Sequence, residues 1–507
     1  MNFLYIRCGY CISDRISINH SSESIESAIE QTSIPEITPS FTVVWPHRPK
    51  DSPTETLCIA YLPAYPSNDT HKRLHTAAAI SRAVVKYCGA RPFKIIPLPD
   101  SLLQKSSLGK LSRSKIRRAF EEGAYLKYEA EDKAISQRNI GEVIAENSTQ
   151  KTVLKTLHEL LTLNSSQLML ETHLDSDLFD LGLSSIDLLK LRASLQKSLN
   201  MANIPITIFF SHPILRHLTQ AIEDLQKEKP QRIYDPISLL QPHGTKTPLF
   251  LIHPGVGDVL IFMNLARLID DRPVYALRAR GFDADEEYFS SMQEIITVYH
   301  SAIKRVQPTG PYAIAGYALG SNLAFEIAKV MQASGDRVQF LAAVNQPPNI
   351  KDWARRRCWY NAVLAISLFM GLVTQDYYHS ALVVMQREKT SHDEVLDRVL
   401  ELAGAARLQE TGMTRKRLQN WADLAYELRD TGKDYEPAGS VGSLDVFLTE
   451  LEDEVWGWPW EDVSKWGEFA ESIDFHRVKG SHLSLMAPPH VHGFQGQLKK
   501  VLEERGL

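Results

Sequence analysis

The chain has 507 residues, a length that predicts several domains with sizeable cores rather than one. With 44% apolar residues, 23% charged residues and a formal charge of −5, its composition is that of an ordinary globular protein and offers no basic face for nucleic acid. The longest apolar run, Trp359 to Val373, is broken by Asn361 and Ser367 and is shorter than a bilayer span, which predicts a buried or lid helix and no membrane segment.

Five cysteines, an odd count, predict reduced thiols and a cytoplasmic address. Cys8 and Cys11 have redox-motif spacing but no βαβ context and no second ligand pair, so neither a redox site nor a metal site is expected.

From Ser13 to Gly123, helical signals (Ser24 to Thr32, Arg73 to Cys88) alternate with strand signals (Phe41 to Trp45, Leu57 to Leu62), the pattern of an α+β unit. Near its end, Lys110 sits beside Gly109 in a polar loop before a basic helix. A point charge there suits a carboxylate or phosphate, and the residues alone equally allow a plain polar loop. The polar stretch Tyr128 to Asn147 reads as a linker. A helical module follows: Lys151 to Leu163, Ser185 to Ser198 and Ile214 to Gln226. Ser185 stands at a helix start, where free amides and the helix dipole favour an anion, although serine is also an ordinary cap. A second polar hinge, Lys227 to Thr247, leads to strands and helices that alternate from Leu249–Ile252 to a closing helix near Gln495 to Glu504, as in a mostly parallel sheet.

Within that last region Tyr312 to Ala315 predicts a strand and Asn322 to Met331 a helix. Between them Gly316-Tyr317-Ala318-Leu319-Gly320 has the form of a nucleophile elbow with alanine at its apex. A methyl group cannot attack a carbonyl. Ser321 lies beyond the elbow and is expected to point away from it. The Leu319 amide offers one oxyanion donor, and the glycine-rich loop His253-Pro254-Gly255-Val256-Gly257, at Gly255, a second.

Several strings carry family resemblances. Asp177 to Leu188, with the downstream Ile204 to Pro213, resembles the attachment site of acyl and peptidyl carrier domains. This implies covalent 4′-phosphopantetheine on Ser185, added by a phosphopantetheinyl transferase. Ser184 departs from the aspartate or histidine common before that serine. The stretch Leu98 to Arg113 is similar to the C-terminal lysine motif of adenylate-forming enzymes, and Asp14 to Glu30 to their hinge. That resemblance implies a truncated adenylation domain in which Lys110 is vestigial, with activated acyl groups supplied by an adenylation enzyme in trans.

Residues 246–507 resemble the thioesterase domain of nonribosomal peptide synthetases. The resemblance places the general base at His482, with His490 and His492 weaker candidates, and the orienting acid at Asn345, a substituted position. Glu450, Glu452 and Asp453 are possible substitutes for that acid, and Ile350 to Ala438 is expected to form a lid over an acyl pocket.

The order of domains, with Gly310 to Tyr317 and Asn345 to Ile350, resembles fungal single-module synthetases that condense two aryl α-keto acids. The expected organisation is an adenylation C-terminal subdomain (1–125), a linker (126–148), a four-helix carrier (149–228), a linker (229–245) and an α/β-hydrolase thioesterase-like domain (246–507). The expected function is that of a truncated synthetase-like protein of secondary metabolism with a phosphopantetheine carrier and an inactive thioesterase domain, a pseudoenzyme in that part. The alternatives are a trans-acting condensing enzyme and a carrier-binding interaction module.

Overall fold

Side-chain caps and glycine stops mark where the elements begin and end. The computed structural model describes residues 3–5, 19–48, 56–89, 91–105, 109–131, 147–163, 174–178, 181, 183, 185–201, 204–206, 208–227, 234–282, 286–356, 358–450 and 458–507. The expectations for Cys8, Cys11, Asp14 to Ile18 and most of the first linker fall outside these residues. Contacts divide the chain into two compact units, the first taking in most residues up to Lys229 and the second those from Pro230 on.

In the first unit a short antiparallel pair, Phe3–Tyr5 with Asn19–Ser21, precedes α1 (Ser22–Gln31), which is capped by the Ser21 hydroxyl on the Ser24 amide. Three strands, β1 (Ile37–His47), β2 (Thr56–Pro63) and β3 (Lys94–Pro97), form a sheet, antiparallel between the first two and parallel between the last two. Between β2 and β3 runs α2 (Thr70–Cys88), which ends at Gly89 with a φ of 71°, a left-handed stop that glycine takes without a Cβ penalty.

Alternation along the strands sorts side chains onto two cores. Val44, Ile59 and Ile95 pack with Ile25, Ile29, Ile80 and Val84 on one face. Trp45, Ala60 and Ile96 pack on the other face with Ile116 of α3 (Arg113–Glu121) and with Tyr125. Arg113 ties α3 to α1 through Glu23 and Glu26.

Among its described residues the same unit also holds α4 (Ser148–Leu163), α5 (Ser185–Ser198), the single turn α6 (Ile208–Ser211) and α7 (Leu215–Lys227). Leu154, Leu157 and Leu161, then Leu188, Leu191 and Leu195, recur every three or four residues and are buried, the stripe that a helix presents to a bundle core.

The second unit is a seven-stranded sheet flanked by helices. Its strands are β4 (Ile237–Gln241), β5 (Leu249–Ile252), β6 (Val274–Leu277), β7 (Tyr312–Tyr317), β8 (Val338–Val344), β9 (Val441–Thr449) and β10 (Ala470–Val478), in the spatial order β10-β9-β8-β7-β5-β6-β4. All pairings are parallel except that of β4 with β6. β4 corrects the sequence reading, which took 227–247 as a hinge and began the sheet at Leu249. The strand's Ile-Ser-Leu-Leu-Gln is short, sits at the sheet edge and lies among polar and proline-containing neighbours, so its apolar signal is weak.

β7 is central and all six of its residues are buried, as expected of a parallel strand covered on both faces. Apart from the single turns Met263–Ala266 and Trp460–Val463, the helices are α8 (Met292–Val306), capped by Ser291 on Glu294, and α9 (Leu319–Ala333). They are followed by α10 (Lys351–Arg356), α11 (Trp359–Phe369), α12 (Gln375–Glu388), α13 (His392–Thr411), α14 (Arg415–Asp430) and the closing α15 (His490–Glu504). The stretch from α10 to α14 is the helical insertion expected between Ile350 and Ala438. At its start, Trp359 to Phe369 forms the buried helix α11, and no helix among the described residues is long and apolar enough to cross a membrane.

Candidate functional site

β7 runs into Ala318, whose φ of 50° and ψ of −126° are unusual for a residue with a Cβ, and α9 begins at the next residue. Crowding explains the glycines on either side. A Cβ on Gly316 would lie 1.9 Å from the Gly320 carbonyl oxygen, and one on Gly320 would lie 2.4 Å from the Ile252 carbonyl oxygen. The Ala318 amide donates to the Val344 carbonyl at 3.0 Å, pinning the turn to the neighbouring strand. Such strain costs about 1–3 kcal/mol and persists only where surrounding structure imposes it. Ser321 is buried, donates to the Gly316 carbonyl at 2.9 Å and accepts the Val344 amide at 3.0 Å. It staples the elbow from behind and does not line the cavity described below.

Asn345 follows β8, and its side-chain nitrogen lies 2.9 Å from His482 Nδ1. Its Oδ1 accepts from the Thr449 hydroxyl at 3.0 Å and from the Thr449 backbone amide at 3.4 Å. A backbone N–H can only donate, so Oδ1 must face Thr449 and the amide NH₂ must face His482. His482 Nδ1 therefore accepts, and the proton of the neutral ring resides on Nε2. A carboxylate at position 345 would impose the opposite tautomer and leave Nε2 free to take a proton.

Tyr317 stacks on the His482 ring at 5.2 Å and donates its hydroxyl to the His482 carbonyl, which fixes the ring plane. Of the other candidates, Glu450 is exposed. Glu452 and Asp453 lie outside the described residues. His490 packs beneath Gly480, and neither it nor His492 lines the cavity.

The loop after β5 is held from two sides. The His253 side chain is fully buried, and desolvation pushes its pKa down to about 4. The neutral ring donates from Nδ1 to the Pro254 carbonyl at 2.7 Å and meets the Tyr299 hydroxyl at Nε2, also at 2.7 Å. From the lid, Trp421 Nε1 donates to the Val256 carbonyl at 2.7 Å. Gly255 is thereby set close to Leu319: a Cβ added to it would stand 3.9 Å from that residue's Cβ. Leu319 opens α9, so its amide is among the first N–H groups of a helix, which have no intrahelical acceptor.

Gly255, Ala318, Leu319 and His482 line one cavity of about 160 Å³, closed by the lid residues Trp353, Phe369 and Arg429. This brings the predicted elbow, oxyanion loop and histidine together, with Asn345 behind the histidine. A strained strand-to-helix turn, a helix-N-terminal amide and a buried histidine around a lidded pocket can bind an acyl carbonyl. Among the described lining residues the one hydroxyl at the turn is the Tyr317 phenol, committed to the His482 carbonyl, and no serine, threonine, thiol or carboxylate stands there.

A family model for the thioesterase domain matches residues 247–500, about half of the chain. The chain belongs to the thioesterase domain family. A model for the phosphopantetheine attachment site matches residues 151–222, so the α4–α7 module is a carrier domain, which bears its cofactor covalently on a serine and implies a phosphopantetheinyl transferase as partner. Nonribosomal peptide synthetase acyN of Ascocoryne sarcoides is 41% identical over 97% of this chain and 53% of its own length. Aspulvinone E synthetase melA of Aspergillus terreus is 38% identical over 97% of this chain and 53% of its own length. Microperfuranone synthase of Emericella nidulans is 37% identical over 97% of this chain and 52% of its own length. The chain thus spans about half the length of the curated relatives it matches, which are fungal nonribosomal peptide synthetase-like enzymes.

In this thioesterase-family chain the carrier's backbone places Ser185 as the first residue of α5, a fourteen-residue helix, and so at the amide-rich end that favours a phosphodiester. Lys110 is exposed on a loop before α3, next to Gly109 with a φ of 74°. Sequence reasoning did not find Thr449, Tyr317 as a ring partner, Gln346 or Arg429. Thr449 ends a strand over a hundred residues from the asparagine it orients, and Arg429 is one of several arginines in a charged helix; only the fold selects them.

Proposed function

We propose that this chain serves fungal secondary metabolism as a carrier joined to a thioesterase-fold domain that binds an acyl group without forming an acyl-enzyme. The observation that carries this reading is the pairing of Ala318 at the elbow with the Asn345 amide on His482 Nδ1. One change removes the attacking oxygen, and the other fixes the histidine in the tautomer that cannot accept its proton.

Loss of a nucleophile from such a unit typically lowers turnover by about a millionfold, with roughly a thousandfold over water left from oxyanion binding. Ser185 is the proposed attachment serine, and the phosphopantetheine arm it would carry supplies a thioester tether. Ala318 and Gly255 then bound the space for the carbonyl, Leu319 and the loop amides hold its oxygen, and the lid excludes water. Acyl groups come from an adenylation activity, in trans or elsewhere in a larger assembly, and Lys110 takes no part in this domain's chemistry. The resemblance of Gly310 to Tyr317 and Asn345 to Ile350 to synthetases that join two aryl α-keto acids supports such a condensation as the surrounding pathway.

A second reading has one observation in its favour. His482 with its proton on Nε2 is a donor, and together with the oxyanion amides it suits stabilisation of an enolate, as a trans-acting condensing enzyme would need.

The test is intact-protein mass spectrometry after incubation with an aryl-acyl N-acetylcysteamine thioester. The chain as it stands, with the carrier unmodified, is expected to remain unacylated, and Ala318→Ser with Asn345→Asp is expected to gain one acyl group on residues 247–500. An acyl ester on this domain of the unaltered chain contradicts the proposal.

A further inference from the structure

The wall of the lidded cavity is chemically one-sided. Val256, Ile261, Trp353, Phe369 and Trp458 give it apolar and aromatic surfaces, and Trp353 and Trp458 meet at 6.1 Å between ring centroids. Into this wall come polar groups that donate. Arg429, 6% exposed, is the single lysine or arginine among the described lining residues; it stacks over Tyr426 at 4.4 Å and donates to the Cys358 carbonyl at 3.2 Å. Gln346, 3% exposed, has a side-chain nitrogen with no acceptor among the described residues. Asn361 has its oxygen committed to the cap of α11, accepting the Cys358 amide at 2.9 Å. His482 is a donor by the tautomer argument. Among the described lining residues there is no aspartate or glutamate.

A buried amide without an acceptor carries its full desolvation cost until a ligand oxygen meets it, and a guanidinium in an apolar wall strengthens its attraction for an anion. The volume of about 160 Å³ is close to that of the roughly 150 Å³ cavity known to hold a benzene ring.

We infer that this cavity is a non-covalent site for an aromatic group bearing an anionic oxygen, a carboxylate or an enolate, with the Arg429 guanidinium and the Gln346 amide on the oxygen and Trp353, Phe369 and Trp458 around the ring. The inference rests on the reading of the domain as an acyl-binding pocket and adds which side chains select the ligand. Ala362, Ala365 and Ala425, small residues on α11 and α14, leave the room that the ring occupies.

The test is calorimetric titration of the full chain with 3-phenylpropanoate, its neutral amide, and the N-acetylcysteamine thioester of a 2-oxo-3-phenyl acid. The carboxylate is expected to bind about tenfold or more tightly than the amide. Arg429→Met is expected to abolish that preference by weakening the carboxylate far more than the amide, and Gln346→Leu to weaken the carboxylate by roughly three- to tenfold.

Arg429 also supports the lid. If Arg429→Met fails to fold, Gln346→Leu and Ala365→Phe, which fills the ring space, decide the matter by loss of carboxylate binding with an unchanged melting temperature. Binding of the 2-oxo thioester but not the free acid, weakened by the same substitutions, assigns the anion to the tethered enolate. Equal binding of acid and amide, or of parent and Gln346→Leu, with no such thioester binding overturns the inference. Mass spectrometry of the same samples separates it from the parent proposal: a covalent adduct defeats the acyl-enzyme-free reading and leaves the anion preference to stand or fall on the titrations.

Discussion

Two helix starts in this chain, Ser185 at the head of α5 and Leu319 at the head of α9, share a physical asset and differ in one atom. Both present helix-N-terminal amides suited to negative charge. The carrier keeps an oxygen there. The thioesterase fold puts the Ala318 methyl just ahead of its helix, yet retains the backbone strain, the two crowded glycines and the staple from Ser321. The comparison teaches that the elbow is held by packing around it, not by the chemistry it elsewhere supports. Its oxyanion geometry can outlast its nucleophile.

The largest expected effect tests the carrier side. Ser185→Ala is expected to abolish incorporation of labelled coenzyme A's pantetheine arm by a phosphopantetheinyl transferase, and retained labelling would move the attachment site off α5.

On the other side, the sheet behind the elbow depends on Asp445. It is 1% exposed and bound by Arg505 at 3.0 Å and His476 at 2.9 Å. Asp445→Asn removes the buried carboxylate that joins Arg505 and His476, leaves Arg505 with Asp474 at 2.8 Å, and is expected to cost about 2 kcal/mol, read by urea denaturation of the second unit. A loss near zero would mean that the closing helix is held by its apolar face alone.

The His253 prediction probes the oxyanion loop through pH. Its folded pKa of about 4 lies below the 6.5 of a free histidine, so the unfolded chain binds a proton that the native one refuses. Stability is therefore complete above pH ~6.5, falls as pH drops, and levels off near pH 4, with about 3 kcal/mol lost from this residue. His253→Gln is expected to flatten that part of the profile measured by chemical denaturation; an unchanged slope would assign it to other groups.

The smallest effect bears on the strain itself. Ala318→Gly, which removes the Cβ at a φ of 50°, is expected to stabilise the second unit by about 1 kcal/mol. Destabilisation would show that the methyl's contacts outweigh the backbone penalty.

Much of this molecule was legible from local pattern. The elbow reads directly, because Gly316 and Gly320 are dictated by crowding within a few residues, and α5 begins at Ser185 as its leucine spacing requires. The position of Asn345 after an apolar strand was equally readable. What escaped depends on contacts far apart in sequence. β4 is a short edge strand whose partner, β6, lies beyond β5, and a polar neighbourhood hides its period. The orientation of the Asn345 amide is decided by Thr449, on a strand more than a hundred residues away. The polarity of the cavity is set by one glutamine beside a Pro-Pro pair and one arginine on a charged helix, neither distinguishable from surface residues until the lid closes over them.

The central claim, that this histidine is a donor and not a base, can be read from a single proton. Selective ¹⁵N-histidine NMR of the unaltered chain should show the neutral His482 ring protonated on Nε2, and Asn345→Asp should move the proton to Nδ1. An Nδ1-protonated ring with Asn345 in place would contradict the account.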